Sequence, residues 1–210
     1  MRWLVGVDEA GRGPLAGPVA VGAVATVMGF DVAHEFPGVA DSKKLSEKKR
    51  EQFFEALEAR AARGDVRFSV AFSDAAYIDA HGIVPAVSNA LARAVCTVAP
   101  SPTHTQILLD GLLTAPESYI HQTTIIRGDV TEPIISLASI AAKVMRDRLM
   151  VRLHDQYPEY GFARHKGYGT KAHCAAVVNL GPSPLHRRTF LHGRFLINTL
   201  ETPKYFKRGR

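Results

Sequence analysis

The chain has 210 residues, 46% of them hydrophobic and 22% charged, with a net charge of +6. That apolar content excludes a disordered chain, the length fits one domain with an appendage, and two distant cysteines, Cys96 and Cys174, exclude a disulfide scaffold or a zinc site built on cysteine spacing. Such cysteine usage predicts a reducing, cytoplasmic setting, and the apolar run before Asp8 is too short for a signal-peptide core. In chain order, Arg2 to Asp8 and the Val-rich Pro18 to Val27 predict two strands, joined by a Gly/Pro loop short enough for an antiparallel pair. The uncharged stretch Gly13 to Phe30 is broken by Pro14, Gly17, Pro18, Gly22 and Gly29 and alternates as a strand does, so no membrane span is expected. An irregular segment ends in Asp41-Ser42-Lys43-Lys44-Leu45-Ser46. Ser46 is an N-cap for a helix from Glu47 to about Arg63, with Gly64 as its stop. Val66 to Phe72 predicts a third strand, and Ser73 to His81 and Val84 to Val98 predict helices separated by Gly82. Thr105 to Asp110 and His121 to Ile126 predict two more strands. A long helix from about Pro133 to Tyr157 follows, apolar at 134, 138, 141, 145 and 149, with Ala138, Ala141 and Ala142 small enough for close approach to a sheet. A Gly-rich loop, a helix from Thr170 to Leu180, a break at Gly181 to Pro184 and a basic end complete the chain. This order predicts an α/β layered domain with a mixed sheet.

Charge is distributed unevenly. Residues 1–142 hold 12 basic and 16 acidic groups, whereas residues 143–210 hold 14 and 4. Within the second part, residues 186–210 carry seven Lys/Arg against Glu201 alone. A basic half of this kind suits a polyanion, because phosphate backbones attract such clusters and release counterions on binding. The alternative is a solvated tail that aids solubility. The expected division is a catalytic domain over 1–185 and a basic C-terminal segment, helical in part, over 186–210.

Four carboxylates, Asp8, Glu9, Asp110 and Asp129, fall at or just past the ends of expected strands. Carboxylates at neighbouring strand ends can converge, and a hard cation such as magnesium or manganese takes oxygen ligands of that kind. Asp8 and Glu9 are adjacent, so both serve one site only if the strand ends or bends there; Gly11 and Gly13 offer that freedom. Taken singly, an Asp at a strand end is as readily a turn or cap residue. Asp147 lies mid-helix, where an ion pair with Lys143 or a neighbouring Arg competes with a role as reserve ligand. Gly11-Arg12-Gly13 does not open a helix, which disfavours a nucleotide cofactor and leaves backbone presented to a sugar or phosphate. Tyr160 to Thr170 interleaves aromatic and basic groups among glycines, with Arg164 and Lys166 suited to phosphates and Tyr168 to stacking; the alternative is a loop whose aromatics pack inward and whose His165 is a satisfied surface residue. Ser139, Lys143 and Arg146 share one helical face, either bordering the site or solvated.

Taken together, Asp8 to Pro18, Asp41 to Ser46, Asp110-Gly111, Gly128-Asp129, the Ser139 to Asp147 helix and His165 to Thr170 resemble the ribonuclease HII family over nearly the whole chain. The resemblance implies a ribonuclease H-like fold, a five-stranded mixed sheet flanked by helices, with a helical C-terminal extension. It implies an endonuclease that cleaves the RNA strand of RNA–DNA hybrids and incises duplex DNA on the 5′ side of an embedded ribonucleotide, leaving 5′-phosphate and 3′-hydroxyl ends. Such an enzyme would use Mg2+ or Mn2+, with two ions beside bound substrate, and serve ribonucleotide excision repair as a cytoplasmic monomer. Asp8, Glu9, Asp110 and Asp129 would be the metal-binding catalytic set. Gly11, Arg12 and Gly13 would read the ribose 2′-OH, Tyr168 would stack on the following deoxyribose, and Lys43, Ser139, Lys143 and Lys166 would face the substrate. Arg127 departs from the lysine expected before Gly128 and keeps its charge. A junction resolvase of similar fold would have no use for a 2′-OH sensor, and a non-catalytic binding module would repel its ligand with four bare carboxylates.

Overall fold

The structure, a computed structural model, describes residues 2–39 and 44–191. Lys43 and the basic residues from Arg194 onward lie outside the described residues. Five strands, β1 (Trp3–Ala10), β2 (Val19–Val27), β3 (Val66–Ser73), β4 (Thr105–Asp110) and β5 (Gln122–Ile125), form one mixed sheet in the order β3-β2-β1-β4-β5. β1 pairs antiparallel with β2 and β2 with β3, while β1–β4 and β4–β5 are parallel. The expected five-stranded mixed sheet is the observed one.

The helices are α1 (Val32–Glu35), α2 (Glu47–Arg63), α3 (Ala75–His81), α4 (Ile83–Val98), α5 (Gly128–Thr131), α6 (Pro133–Gln156), α7 (Phe162–His165) and α8 (Lys171–Leu180). Ser46 caps α2 by accepting from the Lys49 N–H, and Gly64 ends it in the left-handed region at φ 84°, as the sequence predicts. Ser73 stays in β3 and Asp74 takes over as the cap of α3, accepting from the Tyr77 N–H. The one-turn helices α1, α5 and α7 have no counterpart in the sequence reading, since a single turn is too short for an apolar period to show. Among the described residues no helix is long and apolar enough to cross a membrane.

Two cores sandwich the sheet. One joins Val5, Val7, Val19, Val21, Ala23 and Ala25 to the buried stripe of α4. The other joins Val24 to α2 and the first half of α6. α6 lies close to the sheet because both partners are small. A Cβ on Gly6 would come 2.5 Å from the Ile134 carbonyl carbon, and one on Gly22 would come 2.3 Å from the Ala138 oxygen. The expected apolar stripe holds for 134, 138 and 141 but rotates further on. Met145 and Leu149 are half-buried, whereas Arg146 and Met150 are buried completely. There α6 leaves the sheet and enters a third core with Ala16, Tyr160, Phe162, Val177 and Leu191, around which the helical C-terminal region is built. Ala16 bridges His186, and His186 and Arg187 are both buried.

Candidate active site

β1 and β4 run parallel in a register ending at Val7↔Leu109, so the next residues, Asp8 and Asp110, stand on adjacent strands just past the end of the shared ladder. β5 ends at Ile125, and the turn to α5 passes through Arg127, a non-glycine residue in the left-handed region at φ 59°. Such a backbone costs about 1 kcal/mol or more. Gly128 then tucks against Ile135, where a Cβ would come within 2.6 Å of its Cδ1. The next N–H, of Asp129, thereby donates to Asp110 Oδ1 at 3.2 Å. Each of Asp8, Asp110 and Asp129 offers a carboxylate oxygen within 4.8 Å of the others.

Glu9 is outside this trio. β1 does not end or bend at Asp8: its ladder with β2 continues through Glu9↔Val21 to Ala10↔Ala20, so the loop's freedom begins beyond Glu9. Glu9 stands at the rim, paired with Arg12 at 3.5 Å. It remains electrostatically linked to the trio. Burial raises its carboxyl, Arg12 offsets part of that, and Asp110 pushes it up again. Asp8 is raised well above the ordinary carboxyl value, first by burial, then by Glu9 and Asp110 beside it; the Ser139 hydroxyl and the Glu9 N–H, at 2.7 Å, oppose the rise by hydrogen-bonding it. Buried like charges this close call for a counter-cation, and the all-oxygen donor set suits a hard divalent ion.

α6 carries the site outward from Asp8. Ser139 bonds Asp8, and Lys143, one turn on, makes an ion pair with Asp147 at 2.8 Å. That pair occupies Asp147 and keeps it out of the trio. Lys143 Nζ lies 5.7 Å and Arg146 Cζ 5.8 Å from the centre of the Tyr168 ring, which is 43% exposed. Lys166 has φ 52° and donates from Nζ to the Ala163 carbonyl.

The Gly-Arg-Gly loop and the Tyr168 loop form one assembly. Leu15 and Ala16 N–H groups donate to Gly167 O at 2.9 and 3.3 Å, Gly17 N–H to Leu185 O at 2.8 Å, and Arg187 N–H to Leu15 O at 2.8 Å. Two buried guanidiniums complete it: Arg146, which the sequence placed on the site-bordering or solvated face of the helix and which is buried instead, and Arg187, which the sequence counted only among the basic residues of the C-terminal segment. Arg146 Nε donates to Pro18 O at 2.9 Å, Nη1 to Lys166 O at 3.0 Å and Nη2 to Ala16 O at 3.3 Å. Arg187 donates to Gly17 O at 2.9 Å, Arg12 O at 2.8 Å and Gly11 O at 2.6 Å. Arg187 is drawn down to about 9, first by burial and then by Arg146. The basic count assigned to residues 186–210 therefore includes one charge that faces inward.

The two glycines of the loop differ. Gly11 has φ 86°, and a Cβ there would come 2.0 Å from Arg146 Nε, so the protein's own packing requires glycine. Gly13 lies outside the left-handed region and a Cβ on it would meet nothing within 4 Å. Among the described residues neither conformation nor packing accounts for glycine there.

Behind Tyr168 lies a histidine stack. The Ser183 N–H donates to His186 Nδ1 at 2.9 Å, so His186 carries its proton on Nε2 and donates to His173 Nε2 at 3.0 Å. His173 Nδ1–H in turn donates to Tyr168 O at 2.9 Å. His165 stacks on His173 with ring centres 4.2 Å apart and bonds Tyr160 O through Nε2 at 2.7 Å. Burial, then the charge of His173, pulls His186 down to about 3. His173 falls to about 4, again chiefly by burial.

A five-stranded mixed sheet flanked by helices, with carboxylates gathered at the ends of its parallel strands, is a ribonuclease H-like fold. A chain of the PCNA:RNase HII complex from Archaeoglobus fulgidus superposes with a TM-score of 0.68 at 25% identity, over 88% of this chain and 93% of that one. The ribonuclease HII of Geobacter metallireducens is 47% identical over 89% of this chain and 83% of that protein. The ribonuclease HII of Halorhodospira halophila is 44% identical over 92% of this chain and 94% of that protein. The family model of ribonuclease HII matches residues 5–194. The chain belongs to the ribonuclease HII family, endonucleases that hydrolyse the RNA of RNA–DNA hybrids.

Proposed function

We propose that this chain, besides cutting RNA in RNA–DNA hybrids, incises duplex DNA on the 5′ side of an embedded ribonucleotide and leaves 5′-phosphate and 3′-hydroxyl ends. The observation that carries this reading is the meeting of Asp8, Asp110 and Asp129, with the chain running on from Asp8 into the exposed residues Arg12 and Gly13, where nothing among the described residues requires glycine. The donor set suits Mg2+ or Mn2+, held by Asp8, Asp110 and Asp129 with Glu9 at the rim. Two such ions bound with the substrate would activate the attacking water and stabilise the leaving oxygen.

The protein's own groups do the rest. Gly11, Arg12 and Gly13 meet the sugar through their backbone. Tyr168, held over Lys143 and Arg146, stacks on the following deoxyribose. Lys143 and Ser139 order the face of α6 between these two places, and Lys43 and Lys166 approach the phosphates. We assign the remaining basic residues, Arg194, Lys204, Lys207, Arg208 and Arg210, to duplex contact, with the catalytic body acting as a monomer. The free thiols Cys96 and Cys174 suit a cytoplasmic setting.

The test uses two duplexes, one all-DNA and one with a single ribonucleotide, incubated with Mg2+, Mn2+ or chelator. The expected outcome is a nick 5′ of the ribonucleotide with either metal, none with chelator, and an intact all-DNA duplex. Equal cutting of both duplexes would remove sugar recognition from the reading.

A further inference from the structure

Arg146 and Arg187 are both fully buried, and among the described residues neither has a carboxylate within ion-pair distance. Burying a guanidinium without a counter-ion is costly, and stability alone would be served as well by an apolar side chain of similar volume. Their donors converge instead on carbonyls of one loop. The peptide group is planar and trans, so fixing a carbonyl fixes the N–H of the following residue in the opposite direction. By holding Gly11 O and Arg12 O inward, Arg187 turns the N–H groups of Arg12 and Gly13 outward. Among the described residues neither N–H donates to a protein acceptor, and both residues are exposed.

We propose that Arg187, with Arg146 bracing the loop from the other side, is a positioning residue for substrate choice: it sets the direction of the two backbone donors that meet the sugar. This rests on the sugar-sensing reading given above. The clamp has its own anchor. The Asp79 carboxylate on α3 accepts from the Arg188 N–H at 2.8 Å, the Thr189 N–H at 3.0 Å and the Thr189 hydroxyl at 2.7 Å, fixing the turn that follows Arg187. A remote, half-buried carboxylate thus helps to define the loop at the cut.

Arg187→Lys keeps the charge and replaces a rigid fork with a single flexible ammonium. Every step of a hybrid offers a 2′-OH, so a loosened loop can still find a productive register there; a lone ribonucleotide offers one. The experiment measures kcat/KM of wild type and variant on the hybrid, on the single-ribonucleotide duplex and on all-DNA. The expected result is a fall of about 100-fold on the single-ribonucleotide duplex, the cost of a misplaced contact, and a fall at least several-fold smaller on the hybrid. Mn2+ affinity measured by calorimetry should be unchanged. Equal falls on both substrates, or wild-type discrimination in the variant, overturn the inference while leaving sugar sensing intact. A wild type that does not discriminate removes sugar sensing, and this inference with it. Should Arg187→Lys lack a cooperative thermal transition, Asp79→Ala, altered at a half-buried carboxylate on α3, decides by the same ratio, with a smaller fall of about 10-fold expected.

Discussion

Asp8, Asp110 and Asp129 are held where three carboxylates would not gather for stability. Burial and mutual repulsion raise Asp8, while the Ser139 hydroxyl and the Glu9 N–H stabilise its charged form locally. Asp110→Asn removes one charge and keeps the Oδ1 that accepts from Asp129. In metal-free protein this variant should be more stable by about 1 kcal/mol, raising Tm by roughly 2–4 °C in a domain of this size. Cleavage should fall by about three orders of magnitude or more while hybrid binding persists. Calorimetry and a gel assay check the two halves, and full activity in the variant would remove Asp110 from the mechanism. The acids were legible in the sequence because charged residues seldom follow buried strands without a function. The buried roles of Arg146 and Arg187 were not, although the helical face of Arg146 was: their partners are backbone carbonyls, which no residue pattern marks. For the same reason Gly11 and Gly13 look alike in the sequence, and only packing separates them.

At the scale of elements, α6 is the support on which both the sheet and the site depend. Its first half needs the hollows over Gly6 and Gly22, and its second half delivers Lys143, Arg146 and Met150 to the loops. Gly22→Ala would drive a methyl into the Ala138 carbonyl, a backbone atom that cannot swing aside. Overpacking of this kind costs about 1–3 kcal/mol, so thermal denaturation should show Tm lowered by several degrees. An unchanged Tm would mean that α6 can shift away at no cost. Long elements were legible from period and caps, with β4 and α2 falling where the sequence put them. The errors have physical sources. β1 runs past Asp8 to Ala10 because its ladder with β2 outlasts its apolar run. The stripe of α6 rotates because the helix changes partners midway, so one period does not describe it.

Across the whole molecule, two groups of buried ionisable residues respond to pH with opposite sign. His173 and His186 are lowered to about 4 and about 3 from 6.5, so the unfolded chain binds more protons in between and stability falls as pH drops from 6.5 toward 3. Asp8 and Glu9 are raised, so their contribution is present at low pH and is lost as pH rises through their folded values. Between pH 6.5 and pH 4 the urea midpoint of metal-free protein should change less favourably in the wild type than in His186→Gln, which removes one histidine term and leaves the carboxyl terms in place; identical pH slopes in the two proteins contradict the lowered His186. The Arg187 contact to Gly11 spans 176 residues of chain. During synthesis at roughly 5–20 residues per second, Gly11 is made about 9 to 35 seconds before the arginine that holds it. The acid pair Asp8 and Asp110 is available much sooner. Translation therefore yields Asp8, Asp110 and Asp129 before the arginine that holds the Gly11 carbonyl, so the Gly11 to Gly13 loop takes its final form only after the three acids have been made.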